Sequence, residues 1–153
     1  MSIDEGYLRE AIAEANAAER RGEVPVGAII VCNNEIVARG SNRVIADLDP
    51  TAHAEIDALR AAGRALGNYR LEGCDLYTTL EPCAMCAGAI LHARIRRLIY
   101  AAPDPKAGAC GSVLQVLNHP ALNHRVEIIA GLLGEECGTL LSSFFRARRA
   151  VSS

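Results

Sequence analysis

His53, Glu55, Cys83 and Cys86 are the residues of this 153-residue chain whose types and spacing are best suited to chemistry. One imidazole and two thiols, the thiols three positions apart, are donors that zinc takes at about 2.0–2.3 Å. A structural zinc site closes with a fourth protein ligand, whereas a catalytic one leaves that place to water. Glu55 stands beside the first ligand, where a proton carrier for that water is wanted. Zinc brings the pKa of a bound water near neutrality, so the pattern points to metal-assisted hydrolysis. The bland alternatives are a satisfied histidine on an Ala-rich helix and a redox-active C-x-x-C. His-x-Glu and Pro-Cys-x-x-Cys occurring together, in that order, favour the catalytic metal.

The elements that must position these residues can be read from the surrounding pattern. Thr51 is a candidate N-cap for a helix from Ala54 to about Leu66. Pro82 suits the first position of a second helix, whose buried face is Cys86, Ala89, Ile90 and Ala93. Both metal-binding segments then fall at helix starts, where unpaired N–H groups and partial positive charge favour thiolates. Lowered pKa values are therefore expected for Cys83 and Cys86. His53 and Glu55 would lie about 200° apart on an ideal helix, which argues for different roles, one a ligand and one reaching towards substrate.

Upstream, Leu8, Ala11, Ile12 and Ala15 repeat at helical spacing, with Gly22 as a stop. Val24 to Val31 and Glu35 to Gly40 read as a hairpin across Asn33-Asn34. Asp75–Leu80, Ile95–Ala101 and Val126–Ala130 are further strands. A Pro- and Gly-rich loop from Pro103 to Gly111 precedes a short helix, and Leu133, Cys137, Leu140, Leu141, Phe144 and Phe145 stripe a final one. The order predicts a single domain over residues 1–153. It is an α/β fold, a three-layer α/β/α sandwich with helices on both faces of a central five-stranded mixed sheet. The later strands should be largely parallel.

Composition limits the remaining choices. Half the residues are hydrophobic and 22% are charged, the balance of a soluble globular chain. No signal-peptide pattern or membrane-length apolar run is present. Cys32, Cys74, Cys110 and Cys137 are scattered singly, so reduced thiols plus a metal site, in the cytoplasm, are expected. His92, His119 and His124 have no motif-based claim to the metal. The net charge of −2 argues against indiscriminate nucleic-acid binding. A local basic patch remains in Arg146, Arg148 and Arg149, which also suit a cationic last helical turn.

The H-x-E…P-C-x-x-C arrangement is the signature of zinc deaminases that act on nucleobases. From about Tyr7 to Arg149 the chain resembles the bacterial tRNA-specific adenosine deaminases of the cytidine/deoxycytidylate deaminase superfamily. The resemblance rests on Glu23-Val24-Pro25-Val26-Gly27-Ala28, Asn42-Arg43, Asp49-Pro50-Thr51-Ala52-His53-Ala54-Glu55 and Asn68-Tyr69-Arg70-Leu71. It continues through Thr79-Leu80-Glu81-Pro82-Cys83-Ala84-Met85-Cys86-Ala87-Gly88-Ala89, Asn118-His119-Pro120 and Asn123-His124-Arg125-Val126-Glu127 to Phe144-Phe145-Arg146. It implies a cytidine-deaminase-like fold and one Zn²⁺ per subunit on His53, Cys83 and Cys86. Glu55 would be the proton shuttle, and Asn42 and Ala54 would meet the flipped base, although Asn42 alone reads as a turn residue. It further implies a homodimer acting on a tRNA anticodon loop, that of an arginine tRNA, without a membrane. Asp104, Lys106, Arg146 and Arg149 would contact the RNA. Pro103 and Pro105 stiffen the loop around Asp104, a departure from some relatives. The alternatives are a deaminase of free bases or nucleosides, such as guanine or cytosine, and an idle RNA-binding scaffold, against which Glu55 speaks.

Overall fold

A computed structural model describes residues 1–152; Ser153, the last residue of the expected 1–153 domain, lies outside the described residues. Helix α1 spans Ile3–Arg20, where Ser2 caps the start by accepting a 3.1 Å bond from the Glu5 N–H. Gly22, at φ +82°, follows its end, as expected of a C-terminal glycine. Strands β1 (Gly27–Cys32) and β2 (Glu35–Ser41) form the expected hairpin. Asn33 and Asn34 both take positive φ in its tight turn, a conformation asparagine tolerates. There follow α2 (Ala54–Leu66), β3 (Cys74–Leu80), α3 (Ala84–Ala93), β4 (Arg97–Ala102), β5 (Glu127–Ala130) and α4 (Gly134–Ser152).

The sheet order is β2-β1-β3-β4-β5. Strand β1 runs antiparallel to both neighbours, and β3, β4 and β5 are mutually parallel. Alternation along β1 sends Ala28 and Ile30 to one face and Ile29 and Val31 to the other. On the first face, Ala54, Ala58 and Ala62 of α2 and Ala87 and Ile90 of α3 pack with Leu76 and Leu98. On the second, Leu8 and Ile12 of α1 and Cys137 of α4 pack with Tyr77 and Ile99. The three-layer sandwich is therefore as expected. Helix α2 lies very close to β2 because Gly40 has no side chain; a Cβ there would overlap the Ala54 carbonyl and the Ala58 N–H.

Several local expectations are corrected. The short helix expected between β4 and β5 is not formed: residues 103–126 are turns and irregular chain with one bridge, Cys110 to Gln115. Pro103, Pro105 and Pro120 remove N–H donors a helix needs. The segment is ordered instead by side-chain caps, such as Asn118 Oδ1 accepting from the Val126 N–H at 3.2 Å. On α3, Ala89 is only half-buried and Ala87 takes its place in the core.

Candidate active site

Strand β3 ends at Leu80, and Glu81-Pro82 carries the chain into α3, whose N-cap is Cys83. His53 is the N-cap of α2. Thr51 does not cap that helix: its N–H and hydroxyl both donate to Asp49 Oδ1, at 2.9 and 2.7 Å. Pro82 likewise lies one residue before the cap rather than inside the helix. Neither His53 nor Cys83 makes a side-chain cap bond, so both are free to turn outward. With φ −74° and ψ 158°, His53 has extended backbone. That is how it can share a focus with Glu55, which regular helical geometry would forbid.

His53 Nδ1 lies 3.6 Å from Cys83 Sγ and 3.6 Å from Cys86 Sγ. Ideal tetrahedral zinc, with bonds of about 2.3 Å to sulfur and 2.0–2.1 Å to nitrogen, separates those donors by about 3.5–3.6 Å. The three donor atoms lie within 4.8 Å of one another. The site therefore fits one zinc ion, held through Nδ1 and two thiols, with a fourth position left to the cavity.

The electrostatics of the cluster are uneven. Cys83 is held down to about 3 by the Cys86 thiol and then by His53, and His53 is raised chiefly by Cys83. Cys86 behaves otherwise than expected: donating to Cys83, and buried, it is pushed up rather than lowered. Burial pushes the Glu55 carboxyl up to about 7, despite its position in the first turn of α2.

A cavity of about 230 Å³ opens over this cluster, lined by Val24, Val26, Asn42, Ala54, Glu55, Leu80 and Glu81 beside His53 and Cys83. Drug-sized sites span about 300–1,000 Å³, so this one suits a single ring system. Asn42 is both turn residue and cavity wall. Its Oδ1 accepts from the Val44 N–H at 3.2 Å, as the turn reading expected. Ser41, before it, is tied to α2 by its N–H bond to Asp57 Oδ2 at 3.1 Å.

A second cavity of about 580 Å³ adjoins the first, sharing Val24, Leu80 and Asp104. Its walls bring together Asp104, Lys106, Phe145, Arg146 and Arg149, although the loop and α4 are far apart in sequence. Arg148 is placed differently. It bonds the Gly22 carbonyl and lies over the Phe144 ring, 4.9 Å from its centroid.

Two residues that sequence reasoning missed hold this architecture. Glu81 is 1% exposed and accepts from four donors. They are the N–H groups of Asp104 (3.0 Å), Cys110 (3.0 Å) and Ser112 (3.1 Å), and the Ser112 hydroxyl. Burial alone would raise its pKa, but these bonds hold the carboxyl below the usual value. Gly108 is pressed so close that a Cβ would overlap the carboxylate. Glu23 does the same for the 42–48 loop, accepting from the Ile45 and Ala46 N–H groups at 3.0 and 2.7 Å. The available signal was a carboxylate ending an apolar strand directly before Pro82, since a buried charge needs partners.

This fold, with one imidazole and two thiols at two helix starts, defines a zinc-binding deaminase. The profile of the cytidine and deoxycytidylate deaminase zinc-binding region matches residues 1–102. The chain is 48% identical to the tRNA-specific adenosine deaminase of Bacillus subtilis over 97% of this chain and 92% of that one. It is 50% identical to the Haemophilus influenzae enzyme of the same name, over 96% and 86%. A solved structure from work on A-to-I editing by tRNA:A34 deaminases superposes with a TM-score of 0.86 at 46% identity, covering 89% of this chain and 99% of that chain. A guanine deaminase from Nitrosomonas europaea superposes less well, at 0.77 and 26% identity, covering 92% and 83%. The chain belongs to the tRNA-specific adenosine deaminases, within the cytidine and deoxycytidylate deaminase family.

Proposed function

We propose that this chain, as one domain over residues 1–153, converts the wobble adenosine of a tRNA anticodon to inosine and releases ammonia. The observation that carries the reading is the convergence of His53 Nδ1, Cys83 Sγ and Cys86 Sγ at one focus, with Glu55 on the wall of the same cavity. A zinc ion held by His53, Cys83 and Cys86 would supply a water acidified to near-neutral pKa. Glu55 takes the proton from that water and passes it to N1 of the adenine ring. The water oxygen bonds to C6, and Glu55 takes up the remaining proton of the new C6 hydroxyl and hands it to the exocyclic nitrogen. The C6–N bond breaks and ammonia leaves, so one carboxylate acts first as base and then as acid.

Asn42, its Oδ1 engaged by Val44, is left to donate from Nδ2 to an acceptor on the base edge. The Ala54 N–H, in the first turn of α2, is one of the donors a helix does not use internally and offers a second contact. The small cavity takes one flipped base, and the adjoining cavity receives the neighbouring nucleotides. There Lys106, Arg146 and Arg149 meet phosphate, Asp104 accepts from base or sugar, and Phe145, 44% exposed, offers a stacking face. Net charge of −2 with a local cationic wall suits one RNA loop rather than nucleic acid at large.

The working form is a homodimer, supported by the exposed Tyr69 and Leu122 that line one cavity with Leu91. An arginine tRNA with adenosine at the wobble position is the expected species, and the cytoplasm is where it would be met. No described helix is long and apolar enough to cross a membrane.

The test is a substrate panel: zinc-loaded protein with a wobble-adenosine stem-loop, free adenosine, free guanine and free cytosine, read by mass spectrometry. Inosine in the RNA with little turnover of the free compounds is expected. Efficient turnover of guanine or cytosine without inosine would replace this reading with that of a free-base deaminase.

A further inference from the structure

We propose that Cys32 and Cys74 form a second thiol site, a dithiol that closes to a cross-strand disulfide by exchange with a low-molecular-weight disulfide. Scattered in sequence, they lie directly opposite one another where the antiparallel β1–β3 ladder ends. The Cys74 N–H donates to the Leu71 carbonyl at 3.0 Å, and the Cys74 carbonyl accepts from the Arg96 N–H at 2.9 Å. Cys74 therefore does not exchange a pair of backbone bonds with Cys32. Such a non-hydrogen-bonded pair sets its Cα atoms about 4.5 Å apart, with the side chains at their closest. Disulfides form at Cα separations of about 4.4–6.8 Å. Both side chains also belong to the apolar cluster on the α2 and α3 face, so they point the same way from the sheet.

The two thiols differ in access. Cys74 is fully buried, whereas Cys32 is partly exposed. Burial, and then the neighbouring Cys32 thiol, push Cys74 up to about 12. Cys32 is therefore the entry point and Cys74 the resolving partner. The zinc thiols are remote: Cys83 and Cys86 follow the opposite end of β3, and the seven residues Cys74–Leu80 separate the two sites by about 20 Å at roughly 3.3 Å per residue.

Cys32, as thiolate, attacks one sulfur of the small disulfide, whose S–S bond breaks to release one small thiol. Cys74 gives up its proton and attacks the Cys32 sulfur of the mixed disulfide. The Cys32–Cys74 bond forms and the second small thiol departs with that proton. Two protein thiols are oxidised and one small disulfide is reduced to two thiols. The closed ring would enclose Asn42, His53 and Glu55 without touching the zinc end of β3.

The test treats the zinc-loaded full chain with oxidised glutathione, alkylates the remaining thiols, and digests with a protease that cuts before aspartate. Cleavage before Asp75 separates Cys74 from Cys83 and Cys86. A cross-linked Cys32–Cys74 peptide pair is expected, with Cys83 and Cys86 still alkylated. Cys74→Ala should stop at a glutathione adduct on Cys32, and Cys32→Ala should leave Cys74 unmodified. A lasting adduct on wild-type Cys32 without the cross-link would overturn the proposal. So would a bond from Cys32 to any other cysteine, or an unreactive Cys32.

Discussion

Replacing Glu81 with glutamine isolates the role of a carboxylate whose four hydrogen bonds all go to the 104–112 segment. Two donors meet each carboxylate oxygen: the Asp104 N–H and Ser112 hydroxyl at Oε1, and the Cys110 and Ser112 N–H groups at Oε2. In Glu81→Gln the best orientation turns the amide NH₂ towards the Ser112 hydroxyl, which can rotate to accept. The Asp104 N–H then loses its acceptor, and a buried donor without a partner costs about 1–3 kcal/mol. The two bonds left at Oε2 also lose their charge assistance, so about 2–4 kcal/mol in total is expected. The strain falls on the segment that carries Asp104 and Lys106. Urea unfolding of the zinc-loaded protein should show the stability loss, zinc content should stay at one per chain, and KM for the stem-loop should rise more than kcat falls. A Glu81→Gln protein within about 0.5 kcal/mol of wild type, with unchanged KM, would refute the assignment of Glu81 as the anchor of this loop.

Four further outcomes are expected. Cys83→Ala should lose zinc, read by metal analysis, because only His53 and Cys86 remain of the three donors. Arg149→Ala should weaken RNA binding and lower the slope of log K against log salt by about one, whereas Arg148→Ala should leave that slope unchanged. Gly40→Ala should cost about 1–3 kcal/mol in urea unfolding and reduce activity, because it forces α2 away from β2. Asp4 has its pKa lowered chiefly by its bond to Arg97, so its contribution is present above the ordinary carboxylate pKa and is lost as pH falls through the folded value. Asp4→Ala should accordingly be destabilised by about 1–3 kcal/mol at neutral pH, and the gap should close in acid unfolding curves.

The fold was legible wherever local pattern and tertiary demand coincide. The hairpin across Asn33-Asn34, the stripe of α1 and the three parallel strands follow from periodicity and turn chemistry. The 103–126 segment was misread because its order comes from Glu81 and Asn118, partners distant in sequence that periodicity does not register. The caps of α2 and α3 were misplaced by a residue or two for a related reason. His53 and Cys83 occupy cap positions although neither is a usual capping residue. Among the candidate site residues, the convergence of His53, Cys83 and Cys86 was readable because their spacing is itself a geometric statement. The meeting of Lys106 with Arg146 and Arg149 was not, since the sheet alone brings that loop beside α4. The raised pKa of Cys86 was also hidden, because its bond to the Cys83 thiol, and then burial, outweigh its place in the first turn. Cys32 and Cys74 looked solitary for the same reason that strand register is invisible in a list of residues.

Hydrolysis of the wobble adenosine at the zinc site is tested most directly by the product formed. A wobble-adenosine stem-loop incubated in ¹⁸O-water with zinc-loaded protein should yield inosine carrying one solvent oxygen and one equivalent of ammonia. A Glu55→Ala protein with the same zinc content should yield none. Inosine formed at the wild-type rate by that variant, or untouched RNA under conditions where free guanine is deaminated, would contradict it.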